Sequence, residues 1–241
     1  MQFFAGPLSN AGRNLRQVFD SSVCWAWVVL VLAIQSLIAL LGGVDRLGSW
    51  FETFGLSRDE FISGKVWQIF SYGLLHGSWW HVGFNAAFVL LVGSRIEHMA
   101  GRAVIAWVTF LGVIGGGVCH LLIGSGLLVG LSGGCVALLL LLTTLSPQSR
   151  MFPLPVSGRS LGLGILWAEG ILALIDPALG LPGLSVVGRT LAGNGLGSWF
   201  QLGHACHLGG GLVGWLYGRW ILRPRVTLEM LRRERSRREA E

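Results

Sequence analysis

Six long apolar segments, separated by stretches that hold most of the charges, dominate this sequence. Of its 241 residues, 52% are hydrophobic and only 12% are charged. A soluble domain carries about twice that share of charged residues, so the composition is typical of a membrane protein. The segments are predicted to be helices at Cys24–Gly43, Gly77–Ile96, Ala103–Ile123, Leu131–Leu145, Leu161–Ile175 and Phe200–Leu222.

The expected fold is an all-α membrane protein, a bundle of six transmembrane helices with a first loop lying in the membrane interface. We expect a cytoplasmic segment at 1–23, a membrane domain at 24–222 and a basic cytoplasmic tail at 223–241. The first apolar segment is too long for a typical signal peptide, so we expect a retained anchor. The 37 glycines favour close packing of transmembrane helices, and the 11 tryptophans favour anchoring at the interface.

The distribution of basic residues predicts the orientation. Of the Lys and Arg residues, 14 fall on one side of the six segments and 4 on the other. The positive-inside rule then places both termini in the cytoplasm. We expect a multi-pass protein of a bacterial inner membrane whose basic tail contacts anionic lipid, and no nucleic acid as a partner.

Polar residues recur at one depth in three of the segments. His81, Ser132 and His207 each lie about 21–24 Å of helix above the cytoplasmic end of their own segment. Asn85 lies one helical turn below His81 on the same face. Polar side chains inside a bilayer are costly, so a shared polar cavity is the favoured explanation.

These groups are suited to nucleophilic catalysis. Serine needs a base to take its proton, and His207 is the candidate for Ser132. Asn85, His81 and the backbone N–H of Ser132 are candidate donors to an oxyanion. No acidic residue is expected to orient His207, so the sequence predicts a Ser-His dyad and not a triad.

The motifs, in order along the chain, resemble those of rhomboid intramembrane serine proteases. They are Trp67-Gln68, then His76-Gly77-Ser78-Trp79-Trp80-His81-Val82-Gly83-Phe84-Asn85, then Gly130-Leu131-Ser132-Gly133, then His207-Leu208-Gly209-Gly210-Gly211-Leu212-Val213-Gly214. The resemblance implies that Ser132 is the nucleophile and His207 the base. It also implies that His81, Asn85 and the backbone of the loop before Ser132, at Leu131, stabilise the oxyanion. His76 and His204 are possible accessory residues.

The resemblance further implies cleavage of single-span membrane proteins near the outer membrane face. Three positions depart from the family pattern: Gln68 replaces an arginine, Val136 replaces an aromatic residue that stacks on the base, and Glu169 lies in a segment that is usually apolar.

Other functions remain open at this point. A catalytically inactive rhomboid-like protein that binds membrane clients is one alternative, and a rhombosortase-like processing protease is another. A channel is disfavoured because the lower halves of the second, fourth and sixth segments are apolar. We expect no cofactor and no metal site, since the HExxH pattern of metalloproteases is absent. The oligomeric state is not predicted.

Overall fold

The computed structural model describes residues 16–151, 155–223 and 228–240, and long helices make up most of this part of the chain. The long helices are α1 (Ser22–Leu40), α2 (Trp79–Phe88, continued by a π-helical segment Val89–Gly93 and by Ser94–Ala100), α3 (Arg102–Ile123), α4 (Ser132–Leu145), α5 (Gly158–Leu174) and α6 (His204–Ile221). Short helical segments lie at Gly43–Arg46, Gly48–Phe54, Arg58–Ile62, Gln68–Ser71, Tyr72–Leu74, Pro177–Leu179, Leu184–Leu191, Ala192–Leu196 and Gly197–Gln201, and a charged helix lies at Leu228–Ala240.

The all-α class predicted from the sequence is confirmed for the described residues. They contain two isolated β-bridges and no strand. By length and composition, α1 and α3 are able to cross a membrane, and α4 is a shorter apolar helix. The six-span arrangement stays a prediction. Residues 1–15 of the predicted N-terminal segment, and residues 224–227 and 241 of the predicted tail, lie outside the described residues.

Side-chain caps set where two of the long helices begin. The hydroxyl oxygen of Ser78 accepts a hydrogen bond from the backbone N–H of His81 at 3.1 Å, so α2 starts at Trp79. In the same way Ser157 accepts from the N–H of Ser160, and α5 begins three residues earlier than predicted. Polar residues flanking an apolar run therefore determine the helix ends more closely than hydropathy does.

The sixth helix begins later than the sequence predicted. The apolar segment starts at Phe200, but Gly197–Gln201 forms a 3₁₀ turn and Leu202 has an extended backbone. Helix α6 consequently starts at His204, which puts both of its histidines in the first turn.

Glycines bring α4 and α6 into backbone contact. A Cβ atom at Gly210 would overlap the carbonyl oxygen of Gly133, and a Cβ at Gly214 would overlap that of Ala137. This contact confirms the close helix packing that the many glycines of the sequence predicted. Helix α3 joins the same core, because a Cβ at Gly112 would overlap the side chain of Ala137.

Gln68 anchors the first loop at the position where the family pattern has an arginine. Its side chain is fully buried. The amide nitrogen donates to the carbonyl of Glu52 at 2.8 Å, and the amide oxygen accepts from the N–H of Ser57 at 3.3 Å. A neutral amide at this position therefore holds the first loop through hydrogen bonds to the backbone.

Candidate active site

A cavity of about 460 Å³ lies at the N-terminal ends of α2, α4 and α6. Ser132, His207, His81 and Asn85, the residues singled out from the sequence, all line it, and so does His204. Ser132 and His207 are both half-buried. The three helices thus bring a hydroxyl, an amide and three imidazoles to one cavity.

The loop before Ser132 is fixed by backbone hydrogen bonds. Leu128 and Leu56 form an isolated β-bridge, with reciprocal N–H···O distances of 2.9 and 3.0 Å. The N–H of Gly130 donates to the carbonyl of Tyr72 at 2.9 Å. The loop is therefore held by the first loop of the chain and enters α4 at Ser132 in a fixed direction.

Gly130 is required for two independent reasons. Its φ of +117° lies in the region that disfavours residues with a Cβ. In addition, a Cβ at this position would come within 2.6 Å of the imidazole of His81. The glycine two residues before the serine therefore lets the His81 ring pack directly against the loop.

The Ser132 hydroxyl has no hydrogen-bond partner among the described residues. Its side chain is the first of α4 and opens into the cavity that His207 also lines. Catalytic hydrogen bonds are often long or unformed in an enzyme without substrate. The contact between Ser132 and His207 stays a prediction.

His76 binds two of the predicted oxyanion donors. Its Nε2 accepts from the side-chain amide of Asn85 at 2.9 Å and from the backbone N–H of Leu131 at 3.4 Å. Burial, together with the neighbouring His81, lowers the pKa of His76 to about 4, so the ring is neutral. Asn85 is fixed on its other side by the thiol of Cys135, which lies 3.7 Å from the amide oxygen. The predicted oxyanion roles of Asn85, His81 and Leu131 remain untested.

The prediction that no acidic residue is placed to orient His207 is wrong, because a carboxylate lies within hydrogen-bond distance of its ring. Glu169, in α5, places one carboxylate oxygen 3.2 Å from Nδ1 of His207. Its other oxygen lies 2.6 Å from Nδ1 of His204. The sequence interpretation failed because Glu169 is far from both histidines along the chain, and only the packing of α5 against α6 brings them together.

The same three side chains are the group best placed to hold a metal ion, with donor atoms within 4.8 Å of one another. Their separations fit hydrogen bonds better. Two donors that share a tetrahedral zinc ion at about 2.0–2.1 Å each lie roughly 3.3 Å apart, well beyond the 2.6 Å between Glu169 and His204. Nε2 of His204 is also engaged, 2.8 Å from the carbonyl of Trp199.

Sequence reasoning missed Glu169 and His120 as parts of this site. His120 is buried, lines the cavity and lies with its Nε2 3.2 Å from the carbonyl of Gly126. Nothing in the sequence around His120 distinguishes it from an ordinary polar residue near a helix end. A carboxylate inside an apolar segment was the available signal for Glu169, because an ionisable group in such a segment marks a functional site.

Comparison with known proteins identifies the family whose motifs this chain resembles. The model of the Rhomboid domain matches residues 63–224, which contain every residue of the cavity discussed above. A Rhomboid-like protein 15 from Arabidopsis thaliana is 32% identical over 98 residues, which cover 41% of this chain and 24% of that protein. The match thus spans about a quarter of the length of the plant relative. The chain belongs to the rhomboid family, and through it to the membrane proteins.

Proposed function

We propose that this protein is an intramembrane serine endopeptidase. One observation carries the proposal: Ser132, His207, His81 and Asn85, from three different helices, line one cavity of about 460 Å³. A serine and a histidine that line the same cavity are the minimum set for acyl transfer. The rhomboid family consists largely of proteases of this kind.

The proposed reaction follows from the groups present. The Ser132 oxygen attacks the scissile carbonyl carbon as its proton passes to Nε2 of His207, and the carbonyl electron pair moves onto the oxygen. Asn85 and His81 donate hydrogen bonds to that oxyanion. Its collapse breaks the peptide bond, and His207 returns the proton to the leaving amine. Water then hydrolyses the ester with His207 again acting as the base.

Asn85 can serve as a donor without losing its support. The nitrogen of its side-chain amide carries two hydrogens, and among the described residues that nitrogen has one partner, His76. The second N–H is therefore available to an oxyanion. His76 then acts indirectly, by holding the amide in place.

The proposed substrates are single-span membrane proteins cut near the outer face. A stable helix hides its carbonyls in hydrogen bonds, so the substrate must unwind before Ser132 reaches it. Glycine and proline make unwinding easier by about 1 and 3 kcal/mol relative to alanine. Small, helix-breaking residues near the outer boundary are accordingly the expected recognition feature.

The proposed setting is a bacterial inner membrane, crossed six times with both termini in the cytoplasm. The 14-to-4 division of basic residues supports this orientation. It directs the cavity, at the N-terminal ends of α2, α4 and α6, toward the outside.

The decisive experiment is labelling of the detergent-solubilised protein with a fluorophosphonate probe. The probe should label the wild type, and Ser132→Ala should remove both the label and cleavage of a model transmembrane substrate. Because Ser132 and His207 act as a unit, Ser132→Ala/His207→Ala should be no slower than either single variant. Cleavage that persists in Ser132→Ala would refute the serine mechanism. A folded wild type that neither labels nor cleaves would favour the inactive client-binding alternative.

A further inference from the structure

A hydrogen-bonded network links α5 to the first turn of α6. The Glu169 carboxylate lies between Nδ1 of His204 at 2.6 Å and Nδ1 of His207 at 3.2 Å. His204 is 6% exposed, and the side chains of His207 and Glu169 are 16% and 19% exposed. All three side chains are therefore largely withdrawn from solvent. Each of their polar atoms must be paired within the protein, and this requirement constrains where the protons lie.

The surroundings of His204 determine where its protons lie. Nε2 faces the carbonyl oxygen of Trp199 at 2.8 Å. A carbonyl can only accept, so Nε2 carries a proton. Nδ1 faces a carboxylate oxygen, and a contact of 2.6 Å between two acceptors requires a proton between them. The Glu169–His204 pair therefore holds one proton more than a free carboxylate and a neutral imidazole.

That extra proton makes the pair neutral overall, which lowers the cost of placing a carboxylate in an apolar segment. The position of that proton also fixes the tautomer of His207. Because the proton lies on the His204 side, the second carboxylate oxygen carries none and can only accept, so Nδ1 of His207 is the protonated nitrogen. Nε2 is left with its lone pair, the form that a general base needs.

We propose that Glu169, held in place by His204, is the positioning residue that sets the tautomer and orientation of His207. This inference rests on the proposed function, in which His207 takes the proton of Ser132. Glu169 would also stabilise the imidazolium that forms at that moment. Ser132, His207 and Glu169 would then act as a triad, with His204 as a fourth member behind the carboxylate.

Other titratable groups face the same cavity, so the test must separate them from Glu169. They are His81 on α2, His120 on α3 and Asp176 at the end of α5. None of them has a hydrogen bond to His207 among the described residues. The variants below leave all three unchanged.

Two substitutions at Glu169 separate charge from geometry. In Glu169→Gln, the amide nitrogen can donate to Nδ1 of a neutral His204 while the amide oxygen still accepts from His207. The tautomer is kept, but the negative oxygen that faces His207 becomes a neutral amide oxygen, so we expect a rate loss of about 10-fold. The acid limb of the pH–rate profile should move to lower pH, because the imidazolium is no longer stabilised. Glu169→Leu removes both effects and should lower the rate about 10²- to 10⁴-fold.

The experiment combines cleavage kinetics across pH with ¹⁵N NMR of histidine-labelled protein, in which His207 is assigned by its loss in His207→Asn. Wild type and Glu169→Gln should show Nδ1–H at His207, and Glu169→Leu should shift it toward Nε2–H. Glu97→Gln, which neutralises a buried carboxylate far from the cavity, is the matched control and should change neither readout per folded molecule.

The two proposals fail in different ways. A wild type without Ser132-dependent cleavage refutes the proposed function, and the NMR tautomer still decides the role of Glu169. Unchanged His207 signals in Glu169→Leu would overturn the inference. So would an unchanged pH profile in a Ser132-dependent enzyme. A loss of stability alone, with both readouts intact, would make Glu169 a structural tether.

Discussion

Two glutamates of this protein are withdrawn from solvent, and their partners differ in kind. Glu97, near the C-terminal end of α2, is 7% exposed and accepts hydrogen bonds from the backbone N–H groups of Val23 and Cys24 at 3.1–3.3 Å. Glu169, in α5, contacts two imidazoles that line the cavity. One carboxylate satisfies the first turn of α1, and the other is bound to groups that can move protons.

Burial of a carboxylate therefore does not by itself identify a functional site. The first N–H groups of a helix have no partner within the helix, and a carboxylate there is a favourable cap. Glu97 has this role for α1, with added contacts to the Ser22 hydroxyl at 3.4 Å and to Arg102 at 3.7 Å. The chemistry of the partners, and not the depth of the acid, separates the two residues.

Removing each glutamate in turn tests whether the two carboxylates have different roles. Glu97→Leu leaves the backbone N–H groups of Val23 and Cys24 without an acceptor. Each unsatisfied donor that is kept from water costs about 1–3 kcal/mol, so we expect a loss of about 4 kcal/mol in unfolding free energy. Glu169→Leu should cost less, about 1 kcal/mol, because the side chains of His207 and Glu169 keep 16% and 19% of their surface exposed and water can enter from the cavity in place of the carboxylate. Denaturant unfolding in micelles measures both. Equal losses would erase the distinction between the two residues.

Asn85 extends the comparison to a buried amide. Its partners, His76 and Cys135, are side chains around the cavity, so it belongs with Glu169. Asn85→Ala should lower the rate constant for cleavage by about 10- to 1000-fold, with little change in apparent substrate affinity. The control is Asn194→Ala, an exposed amide outside the cavity that donates to the carbonyl of Thr190, which should cleave at the wild-type rate. An effect confined to affinity would make Asn85 a substrate-binding residue.

Local sequence patterns predicted the helices and the polar residues that share a cavity. The apolar segments, the glycine spacing of α6 and the common depth of His81, Ser132 and His207 depend on the periodicity of single helices. Contacts between helices distant along the chain were not predictable in this way. Glu169 precedes His207 by 38 residues, and its role depends on the rotation of α5 against α6.

Hydropathy also did not predict the residues at which the helices begin. Leu202 and Gly203 belong to an apolar run, yet α6 starts only at His204, and this start decides which residues lie in its first turn. The contacts of Gln68 were not predictable either. The sequence showed only that an amide stands where the family has an arginine, whereas the side chain makes hydrogen bonds to three backbone groups in the first loop.

For His76 we expect the smallest effect, a pH-dependent contribution to stability. This residue lies beside the cavity, but the predicted change is in unfolding free energy and not in the rate of cleavage. Its Nε2 faces two donors, and its Nδ1 is buried without a hydrogen-bond partner among the described residues. A proton on Nε2 would oppose both donors, in agreement with a pKa lowered by burial and by His81 to about 4. The unfolded chain, with an ordinary histidine pKa near 6.5, therefore binds this proton first as pH falls. Stability from this residue is present above pH 6.5 and is lost progressively as pH falls toward 4.

Between pH 7.5 and 5.5 this loss amounts to about 1 kcal/mol. It should be missing from His76→Gln, whose amide can still accept from Asn85 but cannot titrate. Denaturant unfolding of both proteins at the two pH values isolates the contribution, because every other titrating group is common to them. Identical pH dependence in the two proteins would mean that His76 binds its proton as readily in the folded as in the unfolded protein, and Asn85 would then be held by something other than a neutral imidazole.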